Sequence, residues 1–179
     1  VFAVIGSHKK ENNPSVADNK NNETTAEPTT EEETTTKVPT VEVDLMMIGD
    51  MLMHEGVVKS GLMDDGTYNF DHLYTNIAKD ISSADIKIVN QETILGGSDF
   101  AYTGYPTFNS PWALGDAEVK AGFNIILHAT NHTLDKGLKG VENCLSFWKT
   151  YHPDTTVLGI NETDEDYENT IWPVKLCLV

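Results

Sequence analysis

The sequence predicts an α/β fold, a layered sandwich in which helices cover a mainly parallel sheet. Two observations support this fold class. Apolar, β-rich runs recur along residues 41–179, and apolar residues at helical spacing lie between them. The predicted order is β-α-β-α-β-α-β-β, and such alternation is typical of parallel strands joined by right-handed crossovers. The 179 residues, 39% of them hydrophobic, suffice for one globular core.

The first half of the domain contains two predicted strands and one predicted helix. The run VEVDLMMI (41–48) is the first strand, and it ends at Gly49 and Asp50. The run DIKIVN (85–90) is the second strand. Between them, four apolar residues recur at intervals of three and four and therefore share one helical face. They are Phe70, Leu73, Ile77 and Ile81.

The second half contains two further helices and three strands. A short helix has Pro111 in its first turn and Gly122 as its C-cap, and strand 123–129 follows. Strands are also predicted at 155–160 and 171–179. The helix between 129 and 155 is predicted from an apolar line of four residues, Leu138, Val141, Leu145 and Trp148.

The first forty residues differ in composition from the remainder. The apolar run VFAVIG predicts that residues 1–10 are the remnant of a signal or membrane-anchor segment. Residues 11–40 are rich in Thr, Glu, Asn and Pro and have no apolar periodicity, which predicts a disordered linker. Residues 41–179 form the predicted domain. Because neither end reads as a natural terminus, we expect a fragment whose domain is incomplete at the C-terminus.

The charge of the chain argues against a nucleic-acid partner. The formal net charge is −16, and residues 41–179, with 8 basic and 21 acidic groups, carry −13 of it. No window supplies a basic stripe that would attract a phosphate backbone. A nucleotide-binding domain is also disfavoured, because neither GLKG nor LGG has the pattern of a phosphate loop.

Polar side chains stand at the ends of three predicted strands. They are Asp50, Asn90, Glu92, Asn131 and His132. Open α/β sheets collect ligand sites at the carboxyl ends of their strands, so we expect these groups to meet at one edge. Such an oxygen-rich set suits Mn²⁺, Mg²⁺ or Fe, and one imidazole would admit Zn²⁺. Each residue also has an ordinary alternative: Asp50 as a turn residue or N-cap, Glu92 as a solvated acid, and Asn131 and His132 as turn and surface residues.

Four motifs carry a resemblance to a known family. They are MIGDMLMHEG (47–56), NQET (90–93), FNSP (108–111) and ATNHTLDKGLKGVENCL (129–145). In order and spacing they resemble the CapA-type proteins of bacterial capsule and poly-γ-glutamate biosynthesis, over about residues 41–179. That family is similar in fold to the calcineurin-like metallophosphatases, whose sites hold two metal ions.

The resemblance implies roles for six residues. Asp50, Glu92 and Asn131 would be metal ligands, and His54 would be a ligand, a group behind the ligands or a plain surface histidine. His132 would act beside the substrate on a leaving oxygen. Asp135 would either orient the His132 imidazole or cap the helix that begins near Gly137, and we favour the cap slightly.

The family pattern also includes histidines from a later part of the chain, and none follows His152. We therefore expect weak or single metal binding by this chain and little catalysis by it alone. The predicted function is a surface-anchored capsule or poly-γ-glutamate biosynthesis protein on the extracellular face of the membrane, with a metallohydrolase-like site. If that site were complete, its chemistry would be metal-assisted hydrolysis of a phosphoester or an amide. Its expected partners are an anionic capsular polymer or membrane synthase subunits. The rival function is a non-catalytic scaffold or transport component.

Three residues outside the site are given structural roles. His128 lies inside a predicted strand and is expected to be a core histidine with a satisfied ring nitrogen. Cys144 and Cys177 have no C-x-x-C spacing and are expected to be buried free thiols, although a bridge between them stays open for an exported protein.

Overall fold

Four short strands form one parallel sheet in the order β1-β2-β3-β4. A computed structural model of the chain describes residues 41–169. Strand β1 spans Leu45–Ile48, β2 spans Ile86–Asn90, β3 spans Ile125–Leu127 and β4 spans Thr156–Leu158. All three pairings are parallel, which confirms the predicted α/β class with its parallel sheet.

Five α-helices and two 3-10 turns connect the strands in the part of the chain that the structure describes. The helices are α1 Glu55–Ser60, α2 Ala78–Ser83, α3 Ala113–Ala121, α4 Gly137–Tyr151 and α5 Asp164–Asn169. The 3-10 turns are Asp71–Leu73 and Thr75–Ile77. None of these described helices combines the length and the apolar character that a membrane crossing requires. From Val43 onward, the described residues belong to one compact unit.

The core lies on one face of the sheet. Because paired residues of parallel strands point to the same side, Ile48, Val89 and Ile126 share a face. All three are buried in the main hydrophobic cluster. The opposite face carries Leu45 and Met47, which are 53% and 44% exposed. The helices therefore cover the Ile48 side of the sheet.

The helix predicted through Phe70 and Ile81 is wrong in form. The segment consists of the two 3-10 turns followed by α2, and the backbone leaves helical geometry at Ile77 (φ −114°, ψ 4°), directly before α2. Phe70 and Ile81 are nevertheless fully buried. The apolar spacing identified residues that face the core but not the turns between them.

Other boundaries also differ from the predictions. Helix α3 begins at Ala113, so Pro111 precedes it, whereas Gly122 caps its C-terminus with φ 108° as predicted. The apolar line predicted for α4 is wrong at its start, since Leu138 is 75% exposed. The buried residues of α4 are Gly140, Asn143, Cys144, Phe147 and Trp148. Helices α1 and α5 have no counterpart among the predictions, and the predicted strand 171–179 and residues 1–40 lie outside the described residues.

Candidate functional site

The site lies at the carboxyl edge of the sheet, where the loops after β1 and β2 are joined by hydrogen bonds. The Met51 N–H donates to the Asn90 carbonyl oxygen at 2.8 Å. The side chain of Asn90 donates from Nδ2 to Asp50 Oδ1 at 2.5 Å. The exposed Asp50 carboxylate is therefore held against the end of β2, as the strand-end argument predicts.

Glu92 is half-buried at the same edge, two residues beyond β2. Burial and the negative charge of Asp50 raise the pKa of the Glu92 carboxyl, and His132 and His54 partly oppose that increase. A charge acts on a pKa in this way only at short range. The structure thus brings Asp50, His54 and His132 into the surroundings of Glu92.

The loop after β3 is fixed to Glu92 through Thr130. The Thr130 hydroxyl donates to the Glu92 carbonyl oxygen at 2.7 Å, and the His132 N–H donates back to that hydroxyl oxygen at 3.1 Å. Asn131 lies between the two residues and is exposed. The loop therefore places Asn131 at the surface of the site, where its side chain makes no hydrogen bond to the described residues.

His132 and Asp135 form a close pair. His132 Nδ1 lies 2.8 Å from Asp135 Oδ2, and the two side chains are 16% and 12% exposed. The same Oδ2 accepts a hydrogen bond from the Phe108 N–H at 2.6 Å. The preference for Asp135 as a helix cap was wrong, because Lys136 occupies the N-cap position of α4 and no side chain bonds there. Asp135 instead orients the imidazole.

His54 is the residue immediately before α1, and it contacts the site from that position. It is exposed, and its ring meets the buried ring of Phe108 edge-on, with centroids 5.3 Å apart. The Phe108 ring also contacts the His132 ring, with centroids 4.6 Å apart. One phenyl ring therefore contacts both site histidines.

A second layer of buried polar groups supports the edge. Ser110 Oγ and Thr93 Oγ1 are 2.7 Å apart, and Thr93 Oγ1 also donates to the Met51 carbonyl oxygen at 3.3 Å. Gln91 Nε2 donates to the Thr93 carbonyl oxygen at 2.5 Å. Met51 follows Asp50 in sequence, Gln91 and Thr93 flank Glu92, and Ser110 joins this network from the FNSP segment. A buried network of this kind restricts the positions of the carboxylates above it.

The side-chain oxygens at this edge suit a hard cation that binds few protein ligands. No three His, Cys, Asp or Glu side chains within residues 41–169 lie close enough to hold a metal ion together. Zn²⁺ ordinarily takes three or four such ligands, whereas Mg²⁺ binds through one or two carboxylates and keeps several waters. The carboxylate and amide oxygens of Asp50, Glu92 and Asn131 are ligand types that Mg²⁺ and Mn²⁺ accept.

The whole arrangement lies within the region that matches a known family. The family model "Bacterial capsule synthesis protein PGA_cap" matches residues 44–175, about three quarters of the chain. The chain belongs to the PGA_cap family. This membership confirms the resemblance to CapA-type capsule synthesis proteins. No curated protein and no solved structure matches the chain.

Three residues of this PGA_cap chain that contact the site were given no role in it from the sequence. Asn90 was noted at a strand end but given no role, and Thr130 and Phe108 lie within quoted motifs that were used only for the resemblance. A signal was present in each case. A polar residue ends β2, a threonine precedes Asn131, and a large aromatic residue begins FNSP.

The predicted core histidine is confirmed. His128 is 1% exposed, and its Nε2 accepts a hydrogen bond from the Trp148 indole N–H at 2.9 Å. Burial lowers the pKa of His128 to about 3, so the ring is neutral at physiological pH. The neighbouring Cys144 is a buried free thiol, as predicted, and burial raises its pKa to about 12. Cys177 lies outside the described residues.

Proposed function

We propose that this PGA_cap protein acts in the synthesis or export of a capsular polymer such as poly-γ-glutamate and carries a metallohydrolase-like site. The observation behind this proposal is the convergence of Asp50 and Glu92 with His54 and His132 at one sheet edge. The negative charge of Asp50 opposes ionisation of Glu92, and a divalent cation would relieve that repulsion. Family membership supplies the biological setting.

In this proposal Asp50 and Glu92 are the principal metal ligands, and Asn131 and His54 add an amide oxygen and an imidazole. Mn²⁺ and Mg²⁺ suit the set best, with Fe or Zn²⁺ as weaker candidates. When bound, such a cation lowers the pKa of water and polarises a phosphoryl or carbonyl oxygen. Asn90 keeps the Asp50 carboxylate in place through its 2.5 Å hydrogen bond.

His132 is the proposed acid–base group. Its Nδ1 faces Asp135, so Nε2 is the ring nitrogen left to exchange a proton with a substrate oxygen. The Asp135 carboxylate fixes the ring orientation through the 2.8 Å contact with Nδ1. Asp135 therefore acts through His132.

A non-catalytic scaffold or transport role is the second candidate. It is favoured by the lack of any three acidic, His or Cys side chains with metal-holding spacing among residues 41–169. In that role the acidic domain would contact membrane synthase subunits through its surface. Both candidates place the protein at the extracellular face of the membrane, exported and held by an N-terminal anchor. An anionic polymer would meet a domain of charge −13, so a bound cation would also be needed to offset repulsion.

The test compares three variants of the chain. Asp50→Asn and Glu92→Gln remove a site carboxylate, and Asp154→Asn removes an exposed carboxylate elsewhere. Calorimetric titration with Mn²⁺ should show binding that the first two variants weaken about tenfold or more and the third leaves intact. Polymer production in the capsule-forming bacterium should likewise fall with Asp50→Asn and Glu92→Gln and stay unchanged with Asp154→Asn.

Each result separates the two candidates. Mn²⁺ binding that requires Asp50 and Glu92 supports the metallohydrolase-like site. If neither Mn²⁺ nor Mg²⁺ binds, and the bacterium makes normal polymer with Glu92→Gln, the scaffold role replaces it.

A further inference from the structure

The FNSP segment contacts the site but has no role in the proposed function. Its first residue, Phe108, is 1% exposed, and its ring contacts two imidazoles. The ring meets His54 at an interplanar angle of 75° and His132 at 72°, so both contacts are edge-on. Such aromatic pairs have a preferred geometry and resist displacement.

The main chain of Phe108 is attached to the same site. Its N–H donates to Asp135 Oδ2 at 2.6 Å, and that oxygen also pairs with His132 Nδ1 at 2.8 Å. Phe108 therefore touches His132 through its ring and reaches it again through Asp135. Lys136 Nζ donates to the carbonyl oxygen of the preceding Thr107 at 3.1 Å, which adds a second link between the two segments.

The residues after Phe108 fix it to the rigid part of the fold. Asn109 and Thr103 exchange two backbone hydrogen bonds of 3.0 and 3.1 Å, and the Ser110 N–H donates to the Ile94 carbonyl oxygen at 3.0 Å. Asn109 Nδ2 donates to the Gly97 carbonyl oxygen at 3.0 Å. Asn109 and Ser110 are fully buried. These bonds hold the main chain next to Phe108 and thereby fix the position from which its ring projects.

We propose that Phe108 is a positioning residue that sets the separation and orientation of His54 and His132. The two histidines come from loops that are far apart in sequence, after β1 and after β3, and the described residues show no direct hydrogen bond between them. The phenyl ring is their shared contact. This inference rests on the proposed function for its consequence, because the histidines must be correctly spaced for a cation and substrate to lie between them.

The first test measures the histidines without metal. We compare Phe108→Leu with Phe147→Leu, a matched control in which an equally buried phenylalanine of α4 is shortened. Imidazole C–H resonances are recorded by NMR on the chain, and thermal unfolding confirms that both variants fold. Phe108→Leu should move the resonances of His54 and His132 together and leave His128 in place. Phe147→Leu should instead move His152, whose ring lies 5.2 Å from it.

The proposal is overturned if Phe108→Leu leaves either site histidine unmoved, or if Phe147→Leu moves both of them equally. Should Phe108→Leu not fold, Phe108→Met replaces it. Nuclear Overhauser contacts from the Phe108 ring to both imidazoles in the unaltered chain then provide an independent measurement. Their absence also overturns the proposal.

The second test is a titration with Mn²⁺. Phe108→Leu should weaken binding about tenfold relative to Phe147→Leu, a loss typical of groups that orient metal ligands. Equal affinities in the two variants would contradict a positioning role. Absence of Mn²⁺ binding by the unaltered chain would refute the metal site itself, and the NMR comparison would still decide whether Phe108 positions the histidines.

Discussion

Protonation of His128 should make the protein unstable in mild acid. The ring is buried, its Nε2 accepts the Trp148 indole hydrogen, and its folded-state pKa is about 3. In the unfolded chain the pKa is about 6.5. Above pH 6.5 the ring is neutral in both states and contributes no pH dependence. As the pH falls through 6.5 towards 3, the unfolded chain binds a proton that the folded chain excludes, so stability is lost.

The size of this effect follows from the two pKa values. At pH 5 the difference in proton binding amounts to about 2 kcal/mol, and it approaches about 5 kcal/mol below pH 3. Ordinary domains are stable by about 5–15 kcal/mol, so a loss of about 2 kcal/mol is a large share of that stability.

The assay is urea unfolding followed by tryptophan fluorescence at pH 8 and pH 5. His128→Gln offers a carbonyl oxygen to the Trp148 indole but has no group that titrates. From pH 8 to pH 5, the free energy of unfolding of His128→Gln should fall by about 2 kcal/mol less than that of the unaltered chain. His72→Gln, at an exposed histidine, is the control and should behave like the unaltered chain. Parallel losses in the unaltered chain and His128→Gln would refute the reasoning.

Three further changes test other parts of the fold. Glu118 is buried, both its carboxylate oxygens lack a partner among the described residues, and burial raises its pKa. The folded protein is therefore expected to lose stability as the pH rises above 4.5, the pKa of the carboxyl in the unfolded chain. Glu118→Gln should reduce that loss between pH 5 and pH 8 in urea unfolding, and an unchanged pH dependence would count against this reasoning. Asp135→Asn weakens the charged bond to His132 and should cost about 1–2 kcal/mol in the same assay, whereas full stability would mean that the pair does not form in solution. Gly159 has φ 92°, and Gly159→Ala would drive a Cβ into the main-chain nitrogen of Ala129, so it should cost more than about 1 kcal/mol of unfolding free energy. Gly56→Ala, which meets open space, should not destabilise the protein, and equal effects would contradict this geometry.

The sequence predicted which segments form the core more reliably than the shapes of those segments. Alternating strand and helix patterns correctly indicated a parallel sheet, because that periodicity reflects burial directly. The segment from Phe70 to Ile81 shows where this reasoning ends. Burial at intervals of three and four is compatible with 3-10 turns as well as with a helix, and tertiary contacts decide between them.

The candidate site was predictable where backbone topology determines position. Asp50, Glu92 and His132 converge because each follows a strand of the same parallel sheet. The role of Asp135 was not predictable in the same way. Its spacing suited a cap or an orienting contact with His132, with the cap slightly favoured, and its carboxylate also accepts the N–H of Phe108, which lies 27 residues earlier in the chain. Contacts at such separation leave no local sequence pattern.

The strand order has a consequence for how the protein folds as it is made. Each strand pairs with the next strand along the chain, and the paired positions Leu45 and Ile86, Ile88 and Ile125, and Ile125 and Thr156 are 41, 37 and 31 residues apart. The sheet can therefore grow in the order of synthesis, without waiting for a distant segment. All six proposed site residues have been synthesised once the chain reaches Asp135, so the carboxyl edge can assemble before β4 emerges from the ribosome.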